Sequence, residues 1–289
     1  MAAGPRVVAV GGGHGLSASL AAARRYAGHL TAVVTVADDG GSSGRLRAAF
    51  GIPAPGDLRR CLVALGDPSS PWAAAFEHRF GAGELEGHAL GNVMMAGLIE
   101  QTGSLMQALD LMAGILGVEG RVLPATTEPV VLKAAAGAVE VEGELAVRNT
   151  AGITRVSLVP PDPAPPADAV AAVEAADQVV VGPGSLYTSV LAVVAVPRLR
   201  AALAATRARR VYVCNLRPER ETDGYGVGDH VRALVDHGLR PDVVVCQPGA
   251  LPKGRLDVPC VEAAVAEPGA AVHDVALLGG VLEGLVGRR

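Results

Sequence analysis

Aromatic residues make up only 3% of the 289-residue chain, with three phenylalanines, four tyrosines and one tryptophan, which excludes a core keyed by large rings. Half of all residues are hydrophobic, so the interior must be assembled from alanine, valine and leucine. That composition suits parallel strands buried on both faces beneath small-faced helices. Lysine is almost missing: Lys133 and Lys253 are the only two, and neither lies in a glycine-rich loop. A P-loop lysine is thereby excluded. There is no basic excess either. A net charge of −4 and a pI near 6.0 offer no field for a nucleic-acid backbone, and nucleic-acid binding is set aside. The four cysteines, Cys61, Cys214, Cys246 and Cys260, are widely spaced and form no C-x-x-C pair. This argues against a zinc site and a disulfide framework, and they read as small buried hydrophobes. No membrane span is expected, because the longest uncharged stretch, residues 178–197, is interrupted by Gly182, Pro183, Gly184, Ser185 and Thr188. The first residues lead through Pro5 and Arg6 straight into a strand without a signal-peptide pattern, so a soluble, cytoplasmic protein is expected.

What is abundant is glycine at the ends of apolar strands. Residues 31–36 read as a buried strand, and the chain then changes within two residues to Asp38-Asp39-Gly40-Gly41-Ser42-Ser43-Gly44-Arg45. In an open α/β sheet the carboxyl ends of strands face the ligand crevice, which makes this stretch a candidate site. Its glycines let backbone amides approach an anion and its serines can donate. Asp38 or Asp39 can hold a divalent ion or a sugar hydroxyl. Earlier, the strand at residues 6–10 runs into Gly11-Gly12-Gly13-His14-Gly15 and then a helix with Leu16, Leu20 and Ala23 on one face, a phosphate cradle of the strand, glycine loop and helix kind. The fingerprint G-x-G-x-x-A can be read at Gly13, Gly15 and Ala18, although tight packing alone also accounts for such glycines. A second unit of this kind, Gly182-Pro183-Gly184-Ser185, follows the strand at residues 178–181, and two such loops would surround one crevice.

Between these units, Asp57 sits where a helix would be capped; alternatively it joins Asp38 or Asp39 around a magnesium ion. Arg45, Arg47, Arg59 and Arg60 can clamp phosphates, with Arg45 closest to the glycines. Residues 72–80 suggest an amphipathic helix packing Trp72, Ala75, Phe76 and Phe80. Asn92 reads as an N-cap or as part of a second anion site opening with Gly87-His88. Ser104 with Gln107 resembles a capping box. Periodicity then changes. Residues 139–147 alternate at period two around Gly143, the signature of a hairpin, which residues 153–159 extend. Asn215 follows a third strand, near residues 211–214, and Asp229 reads as a helix N-cap. Residues 242–246 form a further strand, with an edge strand near 258–261 and a terminal helix near 275–286. The pattern implies one α/β unit over residues 1–289, mainly parallel, with helices on both faces and a small antiparallel β insertion at about residues 121–160.

Six motifs stand in register from about residue 7 to about residue 245. They are Gly11-Gly12-Gly13-His14-Gly15-Leu16, Val36-Ala37-Asp38-Asp39-Gly40-Gly41-Ser42-Ser43-Gly44-Arg45-Leu46, Pro55-Gly56-Asp57-Leu58-Arg59, Gly87-His88-Ala89-Leu90-Gly91-Asn92, Gly182-Pro183-Gly184-Ser185-Leu186-Tyr187-Thr188-Ser189 and Glu221-Thr222-Asp223-Gly224-Tyr225. Together they closely resemble the bacterial gluconeogenesis factor family of YvcK-like proteins, within the 2-phospho-L-lactate transferase-like group. The resemblance implies a Rossmann-like fold and a cytoplasmic, dimeric regulator. It also implies a UDP-sugar ligand of the UDP-N-acetylglucosamine type and a role in cell shape and wall synthesis during gluconeogenic growth, through cell-wall regulatory protein partners. It places Gly12, Gly13, Gly15, Gly184 and Ser185 around the diphosphate. Asp38, Asp39, Asn92 and Asn215 would contact ribose, sugar or metal. Asp39 and Asp57 match the acidic positions that hold magnesium in the transferases, although Asp38 is an equally good match for the first. The alternative is a magnesium-dependent transferase acting on a nucleotide-diphosphate-activated donor. His14 stands where many members have threonine, and residues 216–220 depart from the family's usual loop.

Overall fold

A computed structural model describes residues 4–287. The short β-branched runs predicted from sequence form a seven-stranded, all-parallel sheet. In chain order its strands are β1 (Arg6–Gly11), β2 (His29–Val34), β3 (Arg121–Pro124), β7 (Gln178–Val181), β8 (Arg209–Val213), β9 (Val243–Cys246) and β10 (Cys260–Glu262). Strands β4 (Val131–Ala136), β5 (Val139–Glu142) and β6 (Arg155–Val159) make a separate antiparallel sheet in the order β5-β4-β6. The large sheet runs β10-β9-β8-β7-β1-β2-β3. From β1 the chain winds outward to β2 and β3, then returns to β7 on the other side of β1 and winds outward again. The direction of winding therefore reverses between β1 and β7, which pair in register from Val7 opposite Gln178 to Val10 opposite Val181. Connections leaving adjacent strands on opposite sides open a crevice at that point.

The core matches the composition. Val7 to Val10, Val179 to Val181 and Val243 to Val245 are buried, as are the small residues Ala22, Ala23, Ala32 and Ala202. Small side chains allow close helix packing: a Cβ on Gly279, in the helix Val275–Gly284, would lie 3.1 Å from the carbonyl of Ala22 in the helix Gly13–Ala23. Helices Gly13–Ala23, Gly56–Leu65 and Val275–Gly284 pack together, and Ala167–Ala175 packs on Pro197–Ala205 as a second group. Among the described residues no single helix is long and apolar enough to cross a membrane.

Several local expectations are revised. The antiparallel insertion begins at Val131, because Arg121–Pro124 pairs with β2 in the main sheet. The hairpin turn is at Gly137, between β4 and β5. Gly143, at φ +97°, instead ends β5 and opens the helix Glu144–Arg148, so the alternating run 139–147 is half strand and half helix. Asp57 is not an N-cap: the helix Gly56–Leu65 follows Pro55. Asn92 lies inside the helix Leu90–Thr102, which starts after Ala89. Asp229 is the third residue of its helix and accepts the Gly226 amide. Of the residues expected to pack the helix Pro71–Glu77, Phe76 is buried but Trp72 is 45% exposed. Ser104 caps Leu105–Leu116 as expected, accepting the Gln107 amide at 3.3 Å. Cys246 and Cys260, distant in sequence, sit on neighbouring strands with sulfurs 3.3 Å apart as free thiols.

The small sheet is tied to the helix Val227–Asp236 by the histidine that follows it. His237 Nδ1 lies 2.7 Å from the Ala233 carbonyl and donates to it, while Nε2 accepts the Val156 amide of β6 at 3.1 Å. Burial, the main cause, lowers the His237 pKa and favours the neutral ring that this arrangement needs. His237→Ala leaves the Val156 N–H without its acceptor and should lower stability by about 1–3 kcal/mol in denaturant unfolding. An unchanged midpoint would show that this tie does not hold the insertion.

Candidate functional site

At the reversal point the two glycine turns are forced together. A Cβ on Gly15 would lie 2.4 Å from the Pro183 carbonyl, and one on Gly12 would lie 2.5 Å from Asp57 Oδ2. Gly184 has φ +138°, and a Cβ there would lie 3.2 Å from the Gly12 carbonyl. Only glycine fits this crossing without displacing backbone. The turns open onto a cleft of about 730 Å³, lined by Gly12 to Gly15, Asp38, Gly40 to Ser43, Asp57, Gly184, Ser185 and Asn215.

Two helices point their N-termini into it. Neither Gly13–Ala23, after Gly12, nor Gly41–Phe50, after Gly40, has a side-chain cap, and their first amide bonds back to the N-cap carbonyl come from Leu16 and Gly44. The amides of His14 and Gly15, and of Gly41, Ser42 and Ser43, therefore have no acceptor within their helices. Unsatisfied amides and the helix dipole make both ends receptive to an anion. The Gly13 and Gly184 amides serve differently. Gly13 donates to Asp57 Oδ2 at 2.8 Å and Gly184 donates to Asn215 Oδ1 at 3.0 Å. These glycines shape the cleft by lacking a side chain, and their amides pin the turns.

The acidic residues separate by role. Asp57 uses Oδ2 on Gly13 and Oδ1 on Arg60 at 2.7 Å. Asp39 is absent from the cleft wall; its oxygens accept the Glu144 and Leu145 amides, both at 2.9 Å, capping the helix Glu144–Arg148. Asp38 does line the cleft, with Oδ1 accepting the Gly40 amide at 2.8 Å. Burial, opposed by that hydrogen bond, raises its pKa above the usual carboxylate value. Of the carboxylates matched to magnesium, Asp39 is turned away from the cleft, while Asp57 and the alternative Asp38 both lie on its wall, Asp57 with both oxygens engaged by protein donors. Among the described residues no three His, Cys, Asp or Glu side chains gather as a metal site.

Two further candidates fall behind the wall. Asn92 is buried, with Oδ1 accepting from Arg59 at 2.9 Å and Nδ2 donating to Ser43 at 3.5 Å, so it supports a cleft residue without being one. Arg45 turns away and donates to the Glu86 carbonyl at 2.5 Å. In their place the cleft gains Thr188 from the second glycine motif and, from segments that carry no such motif, Arg79, Glu144, Arg148, Arg217, Glu219 and His273. Of the latter, only Glu144 and Arg148, an i, i+4 pair that ion-pairs here, had a signal legible in sequence. Among the described residues, five that line the cleft hold a buried polar atom without a protein partner, Asn215 Nδ2, Glu144 Oε2, Thr188 Oγ1, Glu219 Oε2 and His273 Nε2; His88, Tyr212, Glu221 and His230 hold others away from it. Burial lowers the His273 pKa to about 4, so its ring is neutral near pH 7.

Behind the loop that follows β8, Glu221 is fully buried and its Oε1 accepts the Tyr187 amide at 2.9 Å. Burial pushes its pKa up to about 8. A carboxyl with a raised folded-state pKa stabilises fully below its ordinary value of 4.5 and loses that contribution as pH rises towards about 8. Over this window the slope is about 1.4 kcal/mol per pH unit. Glu221→Gln, neutral throughout, should gain in melting temperature relative to the parent between about pH 5 and about pH 9. A difference between the two proteins that does not change with pH would contradict the assignment.

Residues 7–268 match the family model described as 2-phospho-L-lactate transferase CofD. The chain is 44% identical to the "Putative gluconeogenesis factor" of Mycobacterium tuberculosis, covering 98% of this chain and 90% of that one. It is 43% identical to the "Gluconeogenesis factor" of Halalkalibacterium halodurans, covering 83% and 76% respectively. A crystal structure of a UPF0052 family member from Bacillus halodurans matches with a TM-score of 0.89 at 34% identity, covering 96% of this chain and 97% of that one. With the reversal-point cleft and the parallel sheet that forms it, these similarities establish that the chain belongs to the YvcK-like gluconeogenesis factor family, within the CofD-like superfamily.

Proposed function

We propose that this chain is a nucleotide-sugar-binding regulatory protein, taking a UDP-sugar of the UDP-N-acetylglucosamine type in the cleft between β1 and β7. The observation that carries the reading is the convergence of two uncapped helix N-termini on a cleft whose other walls hold buried polar atoms without partners. A diphosphate suits the first feature, because it is anionic and takes several amide donors at close range. Sugar hydroxyls and a base edge suit the second, because they bring both donors and acceptors to groups otherwise left unsatisfied. The cleft volume, about 730 Å³, lies within the range of about 300–1,000 Å³ usual for small-molecule sites.

Family membership supports a cytoplasmic role in cell shape and wall synthesis during gluconeogenic growth, exercised as a homodimer through cell-wall regulatory partners. A regulator is favoured over a magnesium-dependent transferase because Asp39 caps a helix and both oxygens of Asp57 already accept protein donors, which leaves Asp38 as the one carboxylate of the three with an oxygen open to a cation.

Calorimetric titration with UDP-N-acetylglucosamine, with guanosine diphosphate and NAD as controls and mass analysis of the recovered ligand, tests the reading. Selective binding with intact ligand is expected; cleavage, or preference for guanosine diphosphate, would contradict it. Gly184→Val should weaken binding by about tenfold or more, since its side chain would push into the Gly12 carbonyl and shift the turn that shapes the cleft. Unchanged affinity in a folded variant would place the ligand elsewhere.

A further inference from the structure

The cleft wall carries four guanidinium groups, Arg60, Arg79, Arg148 and Arg217, and four carboxyl groups, Asp38, Asp57, Glu144 and Glu219. They are not equivalent. Arg60 is neutralised by Asp57 at 2.7 Å, and Arg148 by Glu144. Among the described residues, Arg79 and Arg217 have no carboxylate partner. Arg79 donates to the Gly87 carbonyl at 2.8 Å and reaches Ser42 Oγ at 3.5 Å; Arg217 donates to the Gly269 carbonyl. A carbonyl fixes the direction of a guanidinium while leaving its charge and most of its five N–H donors unused.

Their placement adds to this. Arg79 contacts Ser42, in the first turn of the uncapped helix Gly41–Phe50 on the β2 side of the reversal point. Arg217 stands two residues beyond Asn215, in the loop after β8 on the other side. The two unneutralised cations thus come from opposite sides of the cleft. Without them the remaining charged groups are two neutralised pairs plus Asp38 and Glu219, an arrangement that repels an anion.

We infer that Arg79 and Arg217 meet the phosphate charge of the bound ligand, clamping it from the two sides of the cleft without a divalent cation. This assignment rests on the nucleotide-sugar reading and adds the groups that neutralise the diphosphate. Planar guanidinium groups bind phosphate oxygens through paired N–H donors, a geometry an ammonium cannot copy. Loss of either should therefore cost more than its share of a diffuse field.

The test is calorimetry with UDP-N-acetylglucosamine, in magnesium and in chelator, on the parent protein and on Arg79→Ala, Arg217→Ala and Arg217→Lys. Both arginines are exposed, so the variants should keep the parent's circular dichroism and melting behaviour. The inference predicts equal parent affinity in the two buffers and a loss of about tenfold to hundredfold in each alanine variant. It also predicts partial recovery in Arg217→Lys and a shallower dependence of affinity on ionic strength in the alanine variants. Parent binding that disappears in chelator, or alanine variants that bind like the parent, would overturn the clamp and leave the nucleotide-sugar reading standing. Absence of binding to any nucleotide in either buffer would overturn that reading and the clamp with it.

Discussion

The cleft depends on a close crossing of two backbone turns. Strands β1 and β7 run side by side, their following turns leave in opposite directions, and the turns meet where Gly15 faces the Pro183 carbonyl and Gly184 faces the Gly12 carbonyl. No side chain fits between them. The helix Gly13–Ala23 can therefore start directly over the strand ends, with its first amides open to the cleft. The depth of the cleft and the direction of its donors both follow from that crossing. So does the work left to neighbouring side chains, which is to keep two flexible turns in one conformation.

Asp57 and Asn215 do that work. Each accepts one glycine amide, Asp57 from the first turn and Asn215 from the second, and each also lies on the wall. Asp39 performs a comparable task one step further out: by capping Glu144–Arg148 it holds the inserted antiparallel unit against the central motif and delivers Glu144 and Arg148 to the cleft. Of three aspartates that look interchangeable in sequence, two are structural pins and Asp38 keeps a carboxyl oxygen free of protein donors. Asn215 shows both sides of this division: its Oδ1 accepts the Gly184 amide, while its Nδ2, like His273 Nε2, has no protein partner.

Much of this was legible in the residues. Short valine runs ending in glycine announce parallel strands and strand-end loops, and the six motifs in register identify the family. The cleft position of Gly12 to Gly15, Asp38, Gly40, Ser42, Ser43, Gly184, Ser185 and Asn215 follows from strand-end placement alone. What was not legible depends on tertiary contact. Alternation through Gly143 looks like a continuing hairpin until Asp39, more than a hundred residues earlier, supplies a helix cap. Asn92 and Arg45 carry the right chemistry beside the right glycines, but one faces the buried Arg59 and the other a distant carbonyl. Arg79, Arg217 and His273 reach the cleft from loops whose paths local sequence does not specify.

The most direct test is a crystal structure of the protein with UDP-N-acetylglucosamine bound. The account predicts the diphosphate at the first-turn amides of the helices Gly13–Ala23 and Gly41–Phe50, with the Asp57–Gly13 and Asn215–Gly184 hydrogen bonds intact. A diphosphate bound away from both helix N-termini, or one that displaces Asp57 or Asn215 from its glycine, would contradict it.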